Sequence, residues 1–279
     1  MSDGRPPARR RLIVVVAVVV TICAAVLATV LLTGPSVRAA GQAVERPAEP
    51  TAEPTAEARP GPVLLVPGYG GGTSMLESLA ERIRATGRDV TVVALPGDGT
   101  GDLAASAAQL EQAARTAVDR TGERSVDVVG YSAGGLVARL WVAGNGADVA
   151  RRVVTLGSPH HGTTVADLAV TYAPERCPLG CQQMVPDSEL LAGLNAVDET
   201  PEGPDWISVW TTQDTVVTPP ESARLEGALN LPVQSVCAEA RLSHVQLVGS
   251  PLVHEMVLLQ LGSGEPEELG AADCARLGG

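Results

Sequence analysis

The chain has 279 residues and a formal net charge of −12, with 20 basic residues, all of them arginine, against 32 carboxylates. No basic patch stands out, which excludes nucleic acid as a partner, and the acidity reads as a solubilised exterior. There is no phenylalanine, so valine, leucine and alanine must supply the core.

Arg5, Arg9, Arg10 and Arg11 precede an uncharged apolar run at residues 12–32. A positive start followed by such a run is a membrane-targeting signal. Its length suits a spanning helix, which takes roughly 20 residues, while Val37-Arg38-Ala39 offers a small-residue cleavage site. An uncleaved anchor and a long signal peptide both stay open. Either one places the rest of the chain outside the cytoplasm, secreted or held at the outer face of the membrane, because the arginines keep the N-terminus inside. Cys23 lies deep in the run behind Ile22, which speaks against a lipoprotein. Residues 1–39 are read as this targeting segment. Residues 40–60, rich in Pro, Ala and Glu with a short AEPT repeat, cannot build a core and read as a semi-stiff linker of about 3 Å per residue. Residues 61–279 are left as one domain, in which 13 arginines face 27 carboxylates.

Within that domain short apolar runs alternate with helical patterns. Strands are expected at 63–66, 90–94, 126–129, 153–156, 206–210 and 233–237. Helices are expected at 74–85, at 103–121 with Asp102 as N-cap, and at 245–261. Short apolar strands spaced by helices predict a mostly parallel sheet covered on both faces, an α/β fold. Ligands in such folds bind beyond the carboxyl ends of the strands.

The most informative motif lies at one of those ends. Gly130 to Gly135 reads GYSAGG, after an apolar strand and before a helical stretch. Strand, G-x-S-x-G, helix is the layout of a nucleophile elbow, with Ser132 on a sharp turn above the sheet edge. Gly130 and Gly134 suit it, because a side chain at either would crowd the turn. A serine hydroxyl needs an adjacent base, and the chain has four histidines. His244, just after the last expected strand, can reach across the sheet edge. His254 falls within the apolar pattern of the final helix and reads as a packing residue. His160 and His161, in GSPHHGT after the fourth strand, are candidates to line a substrate site. The imidazole needs a carboxylate to hold its tautomer. Asp205 precedes its strand, at the wrong end, whereas Asp214 follows it. The order Ser132, Asp214, His244 is that expected of a hydrolase triad on this fold. Oxyanion donors are expected at the Ala133 N–H and, from the Gly-rich loop at residues 67–72, at the Tyr69 N–H. That loop lacks the Lys and Ser/Thr of a P-loop, so phosphate binding is not expected.

Four cysteines lie beyond the apolar run, an even number that implies disulfides in an exported domain. Of three connectivities, Cys177–Cys181 and Cys237–Cys274 are favoured, the second fastening the C-terminal tail to the last strand. A four-cysteine zinc site would want paired CxxC spacing, which is missing. Residues 160–205 form a long insertion, a candidate lid in which Leu168, Val170, Tyr172, Leu179, Met184 and Val185 line an acyl pocket or simply pack.

With LLVPGYGGG, VDVVGYSAGGLVAR, VVTLGSPHHGT, the QDTVVTP turn and SHVQL in this order, the chain resembles secreted bacterial lipases and esterases of the α/β-hydrolase superfamily over roughly residues 62–262. The resemblance implies Ser132 as nucleophile, His244 as base, Asp214 as acid, and Tyr69 and Ala133 as oxyanion donors, acting on an ester or lipid without a cofactor. Pro67 stands where many relatives carry His, which leaves the geometry of the Tyr69 donor open. The structural calcium of some relatives is not carried over, because no carboxylate cluster accompanies His244. A cell-envelope acyltransferase or thioesterase using the same triad, an amide hydrolase, and a tethered binding protein are the rival readings.

Overall fold

A computed structural model describes residues 60–279. The expected targeting segment at 1–39 and the expected linker, up to residue 59, lie outside the described residues. Among the described residues no helix is long and apolar enough to cross a membrane.

Six strands, β1 Val63–Val66, β2 Val90–Val92, β3 Val126–Tyr131, β4 Ala150–Leu156, β5 Asp205–Trp210 and β6 Leu229–Pro232, form one sheet in the order β2-β1-β3-β4-β5-β6. Every neighbouring pair is parallel. The helices are α1 Glu77–Arg84, α2 Leu103–Thr121, α3 Ala133–Trp141, α4 Thr164–Tyr172, α5 Leu179–Gln182, α6 Glu189–Leu194, α7 Val233–Val236, α8 His244–Leu247 and α9 Pro251–Gln260.

Alternation along the strands builds two apolar layers. Val63, Leu65, Val129, Val154 and Ile207 face α1 and α9. Leu64, Val66, Val128, Val153 and Trp206 face α2, α3 and part of the insertion. Burial on both faces is why these strands read as continuous apolar runs. Both layers and the whole sheet lie within residues 60–279.

Helix α2 has the expected bounds. The Asp102 carboxylate caps it by accepting from the Ala104 N–H, and Gly122 ends it at φ 72°. Two expectations are corrected. The last strand is Leu229–Pro232, and Val233–Val236 is a helical turn. Pro232 lacks an N–H and has its φ preset, which suits a helix entry better than a strand interior. The final helix is also two helices, α8 and α9, separated at Gly249 and Ser250, with Pro251 at the first position of the second. Both expected disulfides are present. Because α7 replaces the expected strand, Cys237–Cys274 fastens the tail to the end of that helix.

Candidate active site

The elbow is built as its glycines require. Ser132 adopts φ 53°, a strained conformation for a side-chain-bearing residue, held by its N–H donating to the Leu156 carbonyl at 2.8 Å. A Cβ on Gly130 would come within 2.6 Å of the Gly134 carbonyl oxygen, and one on Gly134 within 2.7 Å of that of Pro67. Ser132 is thereby thrust to the carboxyl edge of β3 while the chain turns into α3.

Three side chains from separate segments meet there. His244 Nε2 lies 3.0 Å from Ser132 Oγ, and its Nδ1 lies 2.7 Å from Asp214 Oδ2. Asp214 and His244 are buried. The other Asp214 oxygen accepts the N–H groups of Val216 and Val217, both at 2.8 Å. A carboxylate so held keeps the Nδ1–H tautomer and leaves Nε2 free to accept the serine proton.

The histidine is positioned by more than its carboxylate. Gln246 Oε1 accepts from both the backbone N–H and the hydroxyl of Ser243, closing the turn that carries His244. Thr211, just ahead of Asp214, donates its hydroxyl to the Leu242 carbonyl at 2.7 Å. The Tyr131 ring packs against the imidazole with centroids 5.2 Å apart, and its hydroxyl donates to the His244 carbonyl at 3.3 Å. Burial, with a smaller contribution from the Asp214 charge, pushes the Tyr131 phenol up to about 12, so it remains a donor at neutral pH. Sequence reasoning missed Tyr131 and Gln246. Both carried a signal: Tyr131 shares the strand face of Val129 two residues earlier, and S-x-x-Q before an apolar run is a capping-box pattern.

The expected oxyanion donors lie on the loops flanking the serine. Ala133 opens α3, so its N–H has no carbonyl a turn behind it. Neither it nor the Tyr69 N–H has a backbone partner among the described residues. The Tyr69 loop is steadied by Gly70 donating to Gly99 at 3.2 Å and by a Gly71-to-Gly68 turn of 3.0 Å.

The two neighbouring histidines fall elsewhere. His160 is fully buried, with Nε2 3.1 Å from Thr155 Oγ1, and burial followed by the nearby Arg139 charge lowers its pKa well below the usual value. Its side chain has no exposed surface, so it does not line an open substrate site in this structure. His161 reaches Glu199 at 2.8 Å and shares no hydrogen bond with the triad. His254 is buried, its Nε2 2.8 Å from the Val248 carbonyl. Among the described residues no group of three or more His, Cys, Asp or Glu is placed to hold a metal ion.

The insertion is fastened at its start and near its middle. At its start Thr163 Oγ1 donates to Val216 O, and the Thr164 N–H donates to Thr218 O at 2.9 Å, close beyond Asp214. Near its middle, the Gly180 N–H donates to Thr100 O, while Gln183 accepts from Leu103 N–H and donates to Asp102. Met184 is buried, whereas Leu168, Val170, Tyr172 and Leu179 are exposed.

A family model described as alpha/beta hydrolase fold matches residues 61–176. Among solved structures, the chain is similar to lipase B of Aspergillus fumigatus, with a TM-score of 0.63 and 18% identity over 78% of this chain. It spans 60% of that protein's length. It is also similar to the Bacillus licheniformis lipase BlEst2 in its mature form, with a TM-score of 0.61 and 21% identity over 76% of this chain and 96% of that one. The propeptide form of the same lipase also gives 0.61 and 21%, over 80% of this chain and 54% of that one. At such identities the likeness is one of fold, and it agrees with the parallel sheet and elbow.

Proposed function

We propose that this chain, which has the α/β-hydrolase fold, is an extracytoplasmic serine hydrolase of carboxylic esters, lipase- or esterase-like. The observation that carries the reading is the Ser132–His244–Asp214 array, with contacts of 3.0 and 2.7 Å at the two imidazole nitrogens. Both solved relatives are described as lipases, and two disulfides together with the apolar run at residues 12–32 support a location outside the cytoplasm. Whether that run remains as an anchor decides only whether the enzyme is tethered.

The mechanism is two-step acyl transfer. Ser132 Oγ attacks the ester carbonyl as His244 Nε2 takes its proton. The Ala133 and Tyr69 N–H groups receive the oxyanion, and Asp214 stabilises the imidazolium. His244 then protonates the departing alcohol, leaving an acyl-Ser132 ester. Water, deprotonated by His244, releases the acid.

Hydrolysis of p-nitrophenyl esters of graded chain length, with Ser132→Ala alongside, tests this reading. The variant is expected to lose about 10⁶-fold in kcat. Unchanged hydrolysis by Ser132→Ala refutes the assignment. A folded wild type inert on every ester, yet active when an acceptor alcohol is supplied, moves the reading to an acyltransferase.

A further inference from the structure

We propose that Gly99, in the loop joining β2 to α2, is a positioning residue that aims the Tyr69 oxyanion donor at the serine. This deepens the ester-hydrolase reading and rests on it. The Tyr69 N–H belongs to the same planar, trans peptide unit as the Gly68 carbonyl, so the two point in opposite directions. The Gly68 carbonyl accepts the Gly71 N–H at 3.0 Å. Whatever fixes Gly71 therefore fixes the direction of the Tyr69 N–H. The same peptide unit lies against the nucleophile, because a Cβ on Gly68 would come within 2.9 Å of Ser132 Cβ.

Gly71 in turn rests on Gly99, backbone against backbone. A Cβ on Gly99 would lie 2.5 Å from the Gly71 nitrogen, the atom whose N–H holds the Gly68 carbonyl, and 2.6 Å from the Gly71 Cα. The Gly99 carbonyl also accepts the Gly70 N–H at 3.2 Å. Gly99 thus supports two consecutive residues of the donor loop, and it does so only because it has no side chain.

Of the two loops, that of Gly99 is the firmer. Its own N–H donates to Pro96 O at 3.1 Å, and the Asp98 carboxylate accepts the Thr100 N–H and hydroxyl at 3.0 and 2.6 Å. The Thr100 carbonyl accepts the Gly180 N–H of α5 at 3.0 Å, which backs the loop with the insertion. On the donor loop, a Cβ on Gly70 or Gly72 would meet nothing within 4 Å, so that side has room to yield. A side chain at Gly99 is therefore accommodated by moving residues 69–71, which turns the donor away from the oxyanion.

Three glycines make a graded test. Gly97, Gly71 and Gly99 have φ of 60°, 63° and 72°, so alanine at each carries similar backbone strain. The new Cβ would meet nothing within 4 Å at Gly97, an atom at 3.2 Å at Gly71 and one at 2.5 Å at Gly99. With p-nitrophenyl esters, kcat per folded molecule is expected to stay near the wild-type value in Gly97→Ala. It is expected to fall about tenfold in Gly71→Ala and about 10²-fold in Gly99→Ala, with KM little changed. A trifluoromethyl ketone supplies a second readout. Ser132 Oγ adds to its carbonyl carbon, the serine proton passes to His244, and the carbonyl oxygen becomes a bound oxyanion. Its affinity is expected to weaken by the same factors as kcat, which loss of stability alone does not produce in the folded fraction. Gly71→Ala carries the test if Gly99→Ala does not fold. Wild-type kcat and ketone affinity in folded Gly99→Ala, or in folded Gly71→Ala where that variant stands in, overturn the proposal. So does a loss in Gly97→Ala as large as in Gly99→Ala, since strain alone would then suffice. A wild type inert on every ester is a different result, which removes the hydrolase reading and this proposal together.

Discussion

Strand β3 has a buried aspartate at its amino end and Ser132, the proposed nucleophile, just past its carboxyl end, and the two ends are built differently. Asp127 is fully buried, yet every demand it makes is met. Arg88 and Arg151 reach it at 2.6 and 2.5 Å. Arg151 also binds the carbonyls of Leu261 and Gly262, and Arg152 joins Asp205 to the Gly264 carbonyl. The clasp ties the end of α9 to the sheet. At the other end Ser132 is strained at φ 53°, and the buried Ser158 Oγ and His160 Nδ1 have no partner among the described residues. Paired charge around Asp127 helps hold the fold at one edge, while the other edge carries strain and the proposed proton relay.

The comparison breaks if substitutions at the two ends trade effects. The largest expected change is at the proposed catalytic edge: Asp214→Asn should lower kcat by about 10⁴-fold through loss of the correct imidazole tautomer, with little change in melting temperature. Asp127→Ala should do the reverse, destabilising by about 3–5 kcal/mol as two arginines lose their buried partner. Urea unfolding would report that loss, and kcat per folded molecule should stay at the wild-type value. Tyr131→Phe sharpens the contrast on the same strand. Losing one hydroxyl contact to the His244 backbone should cost about fivefold in kcat, with KM unchanged. A KM effect without a kcat effect would show that the ring serves the substrate instead.

The smallest effect is pH-linked. Burial and the Arg139 charge lower the His160 pKa, so the folded protein keeps it neutral while the unfolded chain protonates below about 6.5. The unfolded state then binds more protons, and stability must fall as pH drops from neutrality toward the folded pKa. His160→Gln should flatten the urea midpoint between pH 7 and 5. An unchanged slope would remove His160 as the source.

Local signals made much of this legible. Asp102 and Gly122 bracket α2, and the elbow motif marks Ser132 with its flanking glycines. Asp214 and His244 could be selected because each follows its strand at the correct end. The last strand was not legible, because residues 229–236 are too short and too mixed in polarity for a period to separate strand from helix. Pro232 decides it there, and Pro251 likewise decides where the final helix begins. His160 misled for another reason: its place in the motif says that it lies near the site, but not which way the ring turns.

By itself the sequence determined most of the order of elements, the elbow and the triad candidates, since each rests on local backbone preference or on position relative to a strand end. Only the tertiary structure decided what spans long separations: Tyr131 against His244, 113 residues apart, Gln183 against Asp102, 81 apart, and the arginine clasp on Asp127. Those contacts depend on the strand order β2-β1-β3-β4-β5-β6, which brings distant segments to one edge, and on side-chain directions that no local pattern encodes.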